Sequence, residues 1–164
     1  MTQRGNFFLV RSVLALAMFR PAIAGPLEDG YAAYRNGDYA AAMNYWRPLA
    51  EQNDAVAQVN LGLMYRKGLG VPQDNMQALV WYRKAADQGN DIAQLRLSLM
   101  YEGGLGVPQD YVQARMWANI AASLVPDAKY RATAVLFRDF LVTKMTPAQI
   151  AEAQRLATEW KPTK

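Results

Sequence analysis

The sequence predicts an all-α protein made of about three stacked helix pairs and a C-terminal helical cap. The main observation is an internal repeat: Ala57–Ala86 recurs at Ala93–Ala122 with an offset of 36 residues, and 18 of the 30 aligned positions are identical. A period of about 20–50 residues is typical of solenoids, in which each unit covers the apolar face of the next. Apolar residues at helical spacing, separated by glycine-rich segments, support the same fold class.

The first unit is a short helix pair over about residues 27–53. Its turn, Tyr34–Asp38, joins the two helices without a glycine-rich loop. The second helix lies 36 residues upstream of its counterpart in the repeat and carries the matching residues Ala42, Tyr45, Trp46 and Ala50.

The second and third units, about residues 54–90 and 91–123, each contain two helices joined by a Gly-Leu-Gly-Val loop. Gly68 stands where a residue of positive φ commonly ends a helix. The following helix starts with the spacing of a capping box, in which two side chains each bind a backbone donor of the other residue. The two capping pairs are Asp74 with Gln77 and Asp110 with Gln113.

The C-terminal cap is predicted over about residues 127–160 and consists of two helices. The first, Asp127–Val142, has an apolar face of Ala134, Phe137, Leu141 and Val142. The second begins at Thr146, with Pro147 at its first position and Gln149 completing a capping box. These signals predict that the last helix runs to about Trp160.

The repeat also carries a recognisable pattern of residues. It comprises Ala57, Leu61-Gly62, Tyr65, Gly68-Leu69-Gly70-Val71, Asp74, Ala78, Trp81-Tyr82, Lys84-Ala85-Ala86 and Gly89. This pattern resembles the Sel-one-like repeat, a relative of the tetratricopeptide repeat. The second copy departs from it at Ser98, which replaces the helix glycine, and at Asn119-Ile120. The resemblance covers about residues 27–122 and implies a right-handed α-α superhelix that acts as a scaffold for protein–protein interaction.

The first 24 residues, Met1–Ala24, have the composition of a targeting segment. They contain three arginines and no acidic residue, an apolar run at Ser12–Phe19, and small residues before Gly25. This resembles a secretory signal peptide cleaved before Gly25, although Arg20 is unusual so near the cleavage site. Residues 25–164 would then form a single helical domain, exported to a bacterial periplasm. A mitochondrial presequence is the alternative.

Charge and apolar length limit the partners of the chain. The net charge of +4 falls to +1 without the first 24 residues, and no basic stripe remains that would bind nucleic acid. A membrane-spanning helix needs about 20 apolar residues, whereas Arg11 and Arg20 leave eight between them. We therefore expect no nucleic-acid partner and no stable membrane span after cleavage.

The residue inventory disfavours catalysis. The chain has no histidine and no cysteine, so the commonest general base and a thiol nucleophile are missing. Some cysteine-rich relatives of the repeat family bind or hydrolyse β-lactams, but no serine here has a lysine three residues later. Possible carboxylate pairs, Asp87 with Asp91 and Glu102 with Asp110, are interpreted as helix caps and exposed surface. No catalytic residue, metal site or cofactor is predicted.

The remaining functional feature is a surface that could bind another protein. In tetratricopeptide-like stacks the first helix of each pair lines the concave side, so the resemblance implies a groove for a peptide or a helix. Its predicted residues are Val56, Val59, Asn60, Leu63, Arg66, Ile92, Leu95, Arg96, Leu99 and Glu102. The alternative for each apolar position is inter-repeat core. At the level of function, the alternatives are an enzyme with an unrecognised carboxylate site and a permanent structural subunit of an envelope complex.

Overall fold

The computed structural model describes residues 25–163, apart from the side chain of Lys129, so the predicted leader and its cleavage site lie outside the described residues. Over this range the chain forms eight α-helices and no strand, which confirms the all-α prediction. The helices are α1 (Pro26–Arg35), α2 (Tyr39–Glu51), α3 (Ala55–Lys67), α4 (Asn75–Asp87), α5 (Asp91–Gly103), α6 (Tyr111–Leu124), α7 (Ala128–Val142) and α8 (Pro147–Glu159).

The first six helices stack as three hairpins. Within the hairpins α1 packs on α2, α3 on α4 and α5 on α6, while α2 packs on α3 and α4 on α5 to join consecutive hairpins. The last two helices depart from this order, because α7 and α8 both pack against α6. The cap therefore covers the open end of the stack from two sides.

The helix ends follow the sequence signals closely. The carboxylates of Asp54 and Asp74 accept hydrogen bonds from backbone N–H groups of the first turns of α3 and α4. The expected reciprocal box at Asp74 is half formed, since the Asp74 carboxylate binds the N–H of Gln77 without the return bond. Asp110 likewise binds two N–H groups of α6 by itself. Among the described helices, only α8 has the complete box, between Thr146 and Gln149.

The core is divided between successive hairpins. One cluster joins α2 with α3 around Trp46 and Leu61, and the next joins α4 and α5 with α6 around Tyr82 and Trp117. Two buried glutamines reinforce this stacking. The side-chain amides of Gln58 and Gln94 donate to the carbonyls at the ends of α2 and α4, on Ala50 and Ala86 respectively.

The glycine-rich loops are packed against the preceding hairpin. Gly106 has a φ of +72°, and a Cβ at this position would lie 2.5 Å from the backbone of Asn75 at the start of α4. Gly70 makes the equivalent contact with Tyr39. This close approach gives the Gly-Leu-Gly-Val loops a structural role in fixing the spacing of the hairpins.

The predicted apolar face of α7 is wrong at one position. Ala134 and Leu141 are fully buried and Phe137 is half-buried, whereas Val142 is 39% exposed. Leu141 and Phe137 pack with Ala114 and Ala118 of α6, whereas Val142 belongs to none of the core clusters of residues 25–163.

Candidate binding surface

The ten residues predicted for the concave face lie on α3 and α5, the first helices of the second and third hairpins. Val56 and Ile92 are 39% and 45% exposed, and Asn60 is 8% exposed. The other seven are half-buried: Val59, Leu63, Arg66, Leu95, Arg96, Leu99 and Glu102. Val59 and Leu95 also pack against the edges of core clusters. Most of this set therefore keeps part of its surface in contact with solvent.

Four of the predicted residues line one cavity of about 330 Å³. They are the α5 residues Ile92, Leu95, Arg96 and Leu99. The sequence did not identify the opposite wall, which is formed by Val125 together with Tyr130 and Thr133 of α7, while Asp91 completes the lining. The spacing of Tyr130 and Thr133 marks one face of a helix, but no local signal indicates that this face lies opposite α5.

A second feature of this side is a cluster of polar side chains from three helices: Arg66 of α3, Tyr82 of α4 and Arg96 of α5. Tyr82 is completely buried, and no group of residues 25–163 accepts the proton of its hydroxyl. Burial raises the pKa of this hydroxyl above its ordinary value of 10.0, while the positive charges of Arg96 and Arg66 and a hydrogen bond from Arg66 act in the opposite direction. Both guanidinium groups are therefore close enough to the hydroxyl to influence it.

The position of Tyr82 depends on Gly62. A Cβ at residue 62 would lie 2.7 Å from the ring of Tyr82, so the absence of a side chain lets the ring lie directly on α3. One turn further along α3, Arg66 then covers the hydroxyl end of the ring. Arg96 links this cluster to the cavity, because it also lines the cavity wall on α5.

The remaining predicted residues do not join the cavity. Asn60 is buried, and its side-chain nitrogen has no hydrogen-bond partner within residues 25–163. Glu102 is half-buried near the C-terminal end of α5, where its carbonyl accepts a hydrogen bond from the side chain of Gln109. The structure thus brings the four α5 residues together in the cavity and leaves the other six predicted residues outside it: Val56, Val59, Asn60, Leu63, Arg66 and Glu102.

Three of the four carboxylates considered for catalysis are held in structural bonds. Asp87 forms an ion pair with Arg83 at 3.0 Å, and Asp91 accepts from the N–H of Ile92. Asp110 caps α6. In the part of the chain that the structure describes, no three His, Cys, Asp or Glu residues are grouped as a metal site would require.

A second cavity, of about 310 Å³, lies between α6 and α8 on another side of the stack. Ile120 and Leu124 form one wall, and Ala157 and Trp160 lie opposite them. Among the helices of residues 25–163, none has the length and apolar character needed to cross a membrane.

Comparison with known proteins identifies the repeat. The family model for the Sel1 repeat matches residues 27–54, 55–90 and 91–125. A crystal structure of a protective antigen present in uropathogenic Escherichia coli strains, displaying an SLR fold, is similar with a TM-score of 0.76 and 32% identity. A Sel1 repeat protein from Oxalobacter formigenes is similar with a TM-score of 0.65 and 30% identity.

Both alignments cover 82% of this chain. They cover 29% of the E. coli antigen and 56% of the O. formigenes protein, so the chain spans only part of the length of either relative. No curated protein matches the chain.

Proposed function

Because the chain belongs to the Sel1 repeat family, we propose that it is a non-enzymatic scaffold that binds a peptide or a helix of another protein on the face formed by α3, α5 and α7. Sel1 repeats commonly mediate protein–protein interaction. The observation that carries the proposal is the cavity of about 330 Å³, where α5 and α7 present apolar side chains beside polar ones. Concave, mainly apolar sites with a few placed polar groups are typical of recognition surfaces.

Exposed apolar positions support the use of this face. Val56 and Ile92 occupy equivalent positions of α3 and α5, and both remain substantially exposed. Neither belongs to a core cluster of residues 25–163, so both apolar side chains are open to a partner. An apolar side chain that binds a partner releases its ordered water on binding, which provides the main driving force for association.

The location that we propose is outside the cytoplasm, in a bacterial periplasm, with the mitochondrion as the alternative. The support is the sequence of Met1–Ala24, with its arginines, apolar run and small residues before Gly25. N-terminal sequencing of the protein purified from its native cells tests this directly. A chain starting at Gly25 is expected, and a chain that keeps Met1–Ala24 would contradict cleavage.

The binding face can be tested by charge substitution. We expect Ile92→Glu and Leu63→Glu to abolish capture of the native partner, because each places a charge in the apolar surface. Val80→Glu is the matched control, since Val80 is 47% exposed on α4, outside the predicted face. Capture from the native compartment followed by mass spectrometry identifies the partner, and circular dichroism checks that each variant keeps its helices.

Two outcomes would contradict the proposal. If the partner binds both variants as well as it binds the wild type, the face of α3 and α5 is not the binding site. If the isolated protein is insoluble and is recovered only in a fixed complex, the permanent-subunit alternative is favoured over a scaffold with exchangeable partners.

A further inference from the structure

We propose that Arg66 and Arg96 bind the acidic side chain of an extended peptide while a neighbouring apolar side chain of that peptide enters the cavity between α5 and α7. This inference rests on the proposed function and adds the chemistry of the partner. It depends on three features of the structure: two arginines without carboxylate partners, a buried hydroxyl without an acceptor, and an adjoining apolar cavity.

The arginines of this cluster differ from others on the surface. Arg83, Arg138 and Arg155 each form an ion pair with a carboxylate, at distances of 3.0, 2.8 and 2.6 Å. No carboxylate of residues 25–163 pairs with Arg66 or Arg96, and the Nε of Arg66 is buried without a hydrogen-bond partner. Two positive charges that both act on the hydroxyl of Tyr82 therefore have no ion-pair partner among the described residues.

Tyr82 provides the second, independent observation. Its hydroxyl is fully buried close to both arginines, and no group of residues 25–163 accepts its proton. A guanidinium group has donors only, so it cannot accept the proton of this hydroxyl. The hydroxyl oxygen of Tyr82 can itself accept from Arg66, so what lacks a partner within residues 25–163 is the hydroxyl proton and the buried Nε of Arg66. An acceptor supplied by a bound ligand would pair with the guanidinium groups.

A carboxylate is the acceptor that fits best. Its two oxygens can each accept from a planar guanidinium fork, and such bonds are stronger than those between neutral groups. The apolar wall formed by Leu95 and Leu99 adjoins Arg96 on α5, and Leu63 precedes Arg66 by three residues on α3, which places it on the same side of that helix. A peptide crossing this face would continue beyond the carboxylate in both directions, which favours an internal Asp or Glu over a terminal carboxylate.

The chain itself does not supply an obvious occupant. Residues 1–24 contain three arginines and no acidic residue, so their charge would oppose that of Arg66 and Arg96. Asp91 is the one acidic residue in the lining of the cavity, and its carboxylate binds the N–H of Ile92. Charge complementarity therefore points to a separate acidic peptide.

The experiment uses a displayed library of random peptides, selected against the purified protein at about 150 mM salt. We expect the enriched sequences to share an Asp or Glu at a fixed spacing from a large apolar residue. One enriched peptide is then synthesised with its acidic residue and with the corresponding amide, and both are titrated by fluorescence anisotropy. Replacing the acid by the amide is expected to weaken binding about tenfold or more.

Arg66→Gln and Arg96→Gln are expected to weaken binding of the acidic peptide by a similar factor, with little further effect on the amide peptide. In this double-mutant cycle, an arginine effect that is lost when the peptide acid is replaced by its amide identifies direct contact between the arginine and the acid. The control is the double variant Arg35→Gln with Lys144→Gln, which removes two charges from exposed positions outside α3 and α5. It should bind like the wild type, because exposed charges distant from the ligand are largely screened at this salt concentration.

The outcomes separate this inference from the proposed function. If enriched peptides show no acidic preference and bind the arginine variants normally, but lose affinity for Ile92→Glu, the carboxylate inference fails and the binding face stands. If no peptide is enriched, or Ile92→Glu binds normally, both fail. Displacement of the peptide by inorganic phosphate at submillimolar concentration would identify a phosphate site and overturn the inference.

Discussion

The contact between Gly62 and Tyr82 explains a difference between the two copies of the repeat. The ring of Tyr82 occupies the space that a side chain at residue 62 would need. At the equivalent positions of the third hairpin the chain has Ser98 and Ala118, so a side chain on the first helix accompanies a small residue on the second. The two positions therefore depend on each other's size.

Gly62→Ser is expected to lower the free energy of unfolding by about 2 kcal/mol, because the new side chain would force the Tyr82 ring to move within a packed core. In a Tyr82→Ala background the substitution Gly62→Ser should cost far less, since the pair then matches the third hairpin. Urea denaturation of the two single variants and the double variant measures the coupling. Strictly additive costs would contradict this explanation.

The buried hydroxyl of Tyr82 leads to the prediction that a substitution raises the free energy of unfolding. Tyr82→Phe keeps the ring and removes a buried hydroxyl whose proton has no acceptor, so the free energy of unfolding should rise by about 1 kcal/mol. The pKa of this hydroxyl is raised in the folded state. As the pH rises, the unfolded chain loses this proton first, so folding loses stability above pH 10 or so.

Tyr82→Phe should reduce that alkaline loss of stability. Denaturation curves between neutral pH and pH 11 test this, with Tyr45→Phe as the control because Tyr45 is 41% exposed. If Tyr82→Phe lowers stability at neutral pH, the hydroxyl must have a bonding partner, and the argument for a missing acceptor is lost.

Single helices and loops were predictable to the extent that their signals are local. Asp74 and Thr146 mark helix starts because their own side chains bind the first-turn N–H groups. The face of α7 was predicted less well, since Val142 fits the apolar pattern of the helix and yet is 39% exposed. Periodicity identifies a helix, but the width of its buried face depends on its neighbours.

Gly106 shows how a loop residue can serve the stack. Gly106→Ala should lower the free energy of unfolding by about 2 kcal/mol or more, because it combines an unfavourable positive φ with a clash against the backbone of Asn75. Gly37→Ala is the matched control: its φ is +79°, yet nothing lies within 4 Å of the added Cβ. Thermal unfolding of both variants separates the two causes, and equal losses would show that φ alone matters.

Across the solenoid, the sequence predicted the order of the helices because the same helix–loop–helix pattern occurs in both copies of the repeat. The predicted residues Leu95 and Leu99 of α5 line the cavity, and their role in binding stays a prediction. The sequence did not predict Tyr130 as the opposing wall or the packing of α8 on α6. Those contacts join segments that are distant in sequence and occur once, so no periodic pattern records them.

The last residues of the described chain tie the cap to an earlier hairpin. Trp160 packs edge-on against Trp117 of α6, with ring centres 6.0 Å apart. The backbone N–H and the hydroxyl of Thr163 both donate to the carbonyl of Asp87, at the end of α4. The tail therefore crosses from the cap to the second hairpin and closes the core that α4, α5 and α6 share.

Deleting residues 160–164 should lower the free energy of unfolding by about 2–4 kcal/mol, because it removes the cover of Trp117 and exposes part of the core. In a stack that is stabilised mainly by neighbouring units, the loss should be local. Hydrogen exchange should accelerate in α6 and in the C-terminal part of α4, with little change in α1 and α2. A uniform increase over all eight helices would contradict nearest-neighbour stabilisation.

A shorter deletion, residues 162–164, separates the two contributions of the tail. It keeps Trp160 and removes the bonds from Thr163 to Asp87, so it should cost only about 1 kcal/mol. Its effect on hydrogen exchange should be confined to the end of α4, because the core around Trp117 stays covered. If this deletion is as costly as the longer one, the anchorage on Asp87 holds α8 in place, and the packing of Trp160 depends on it.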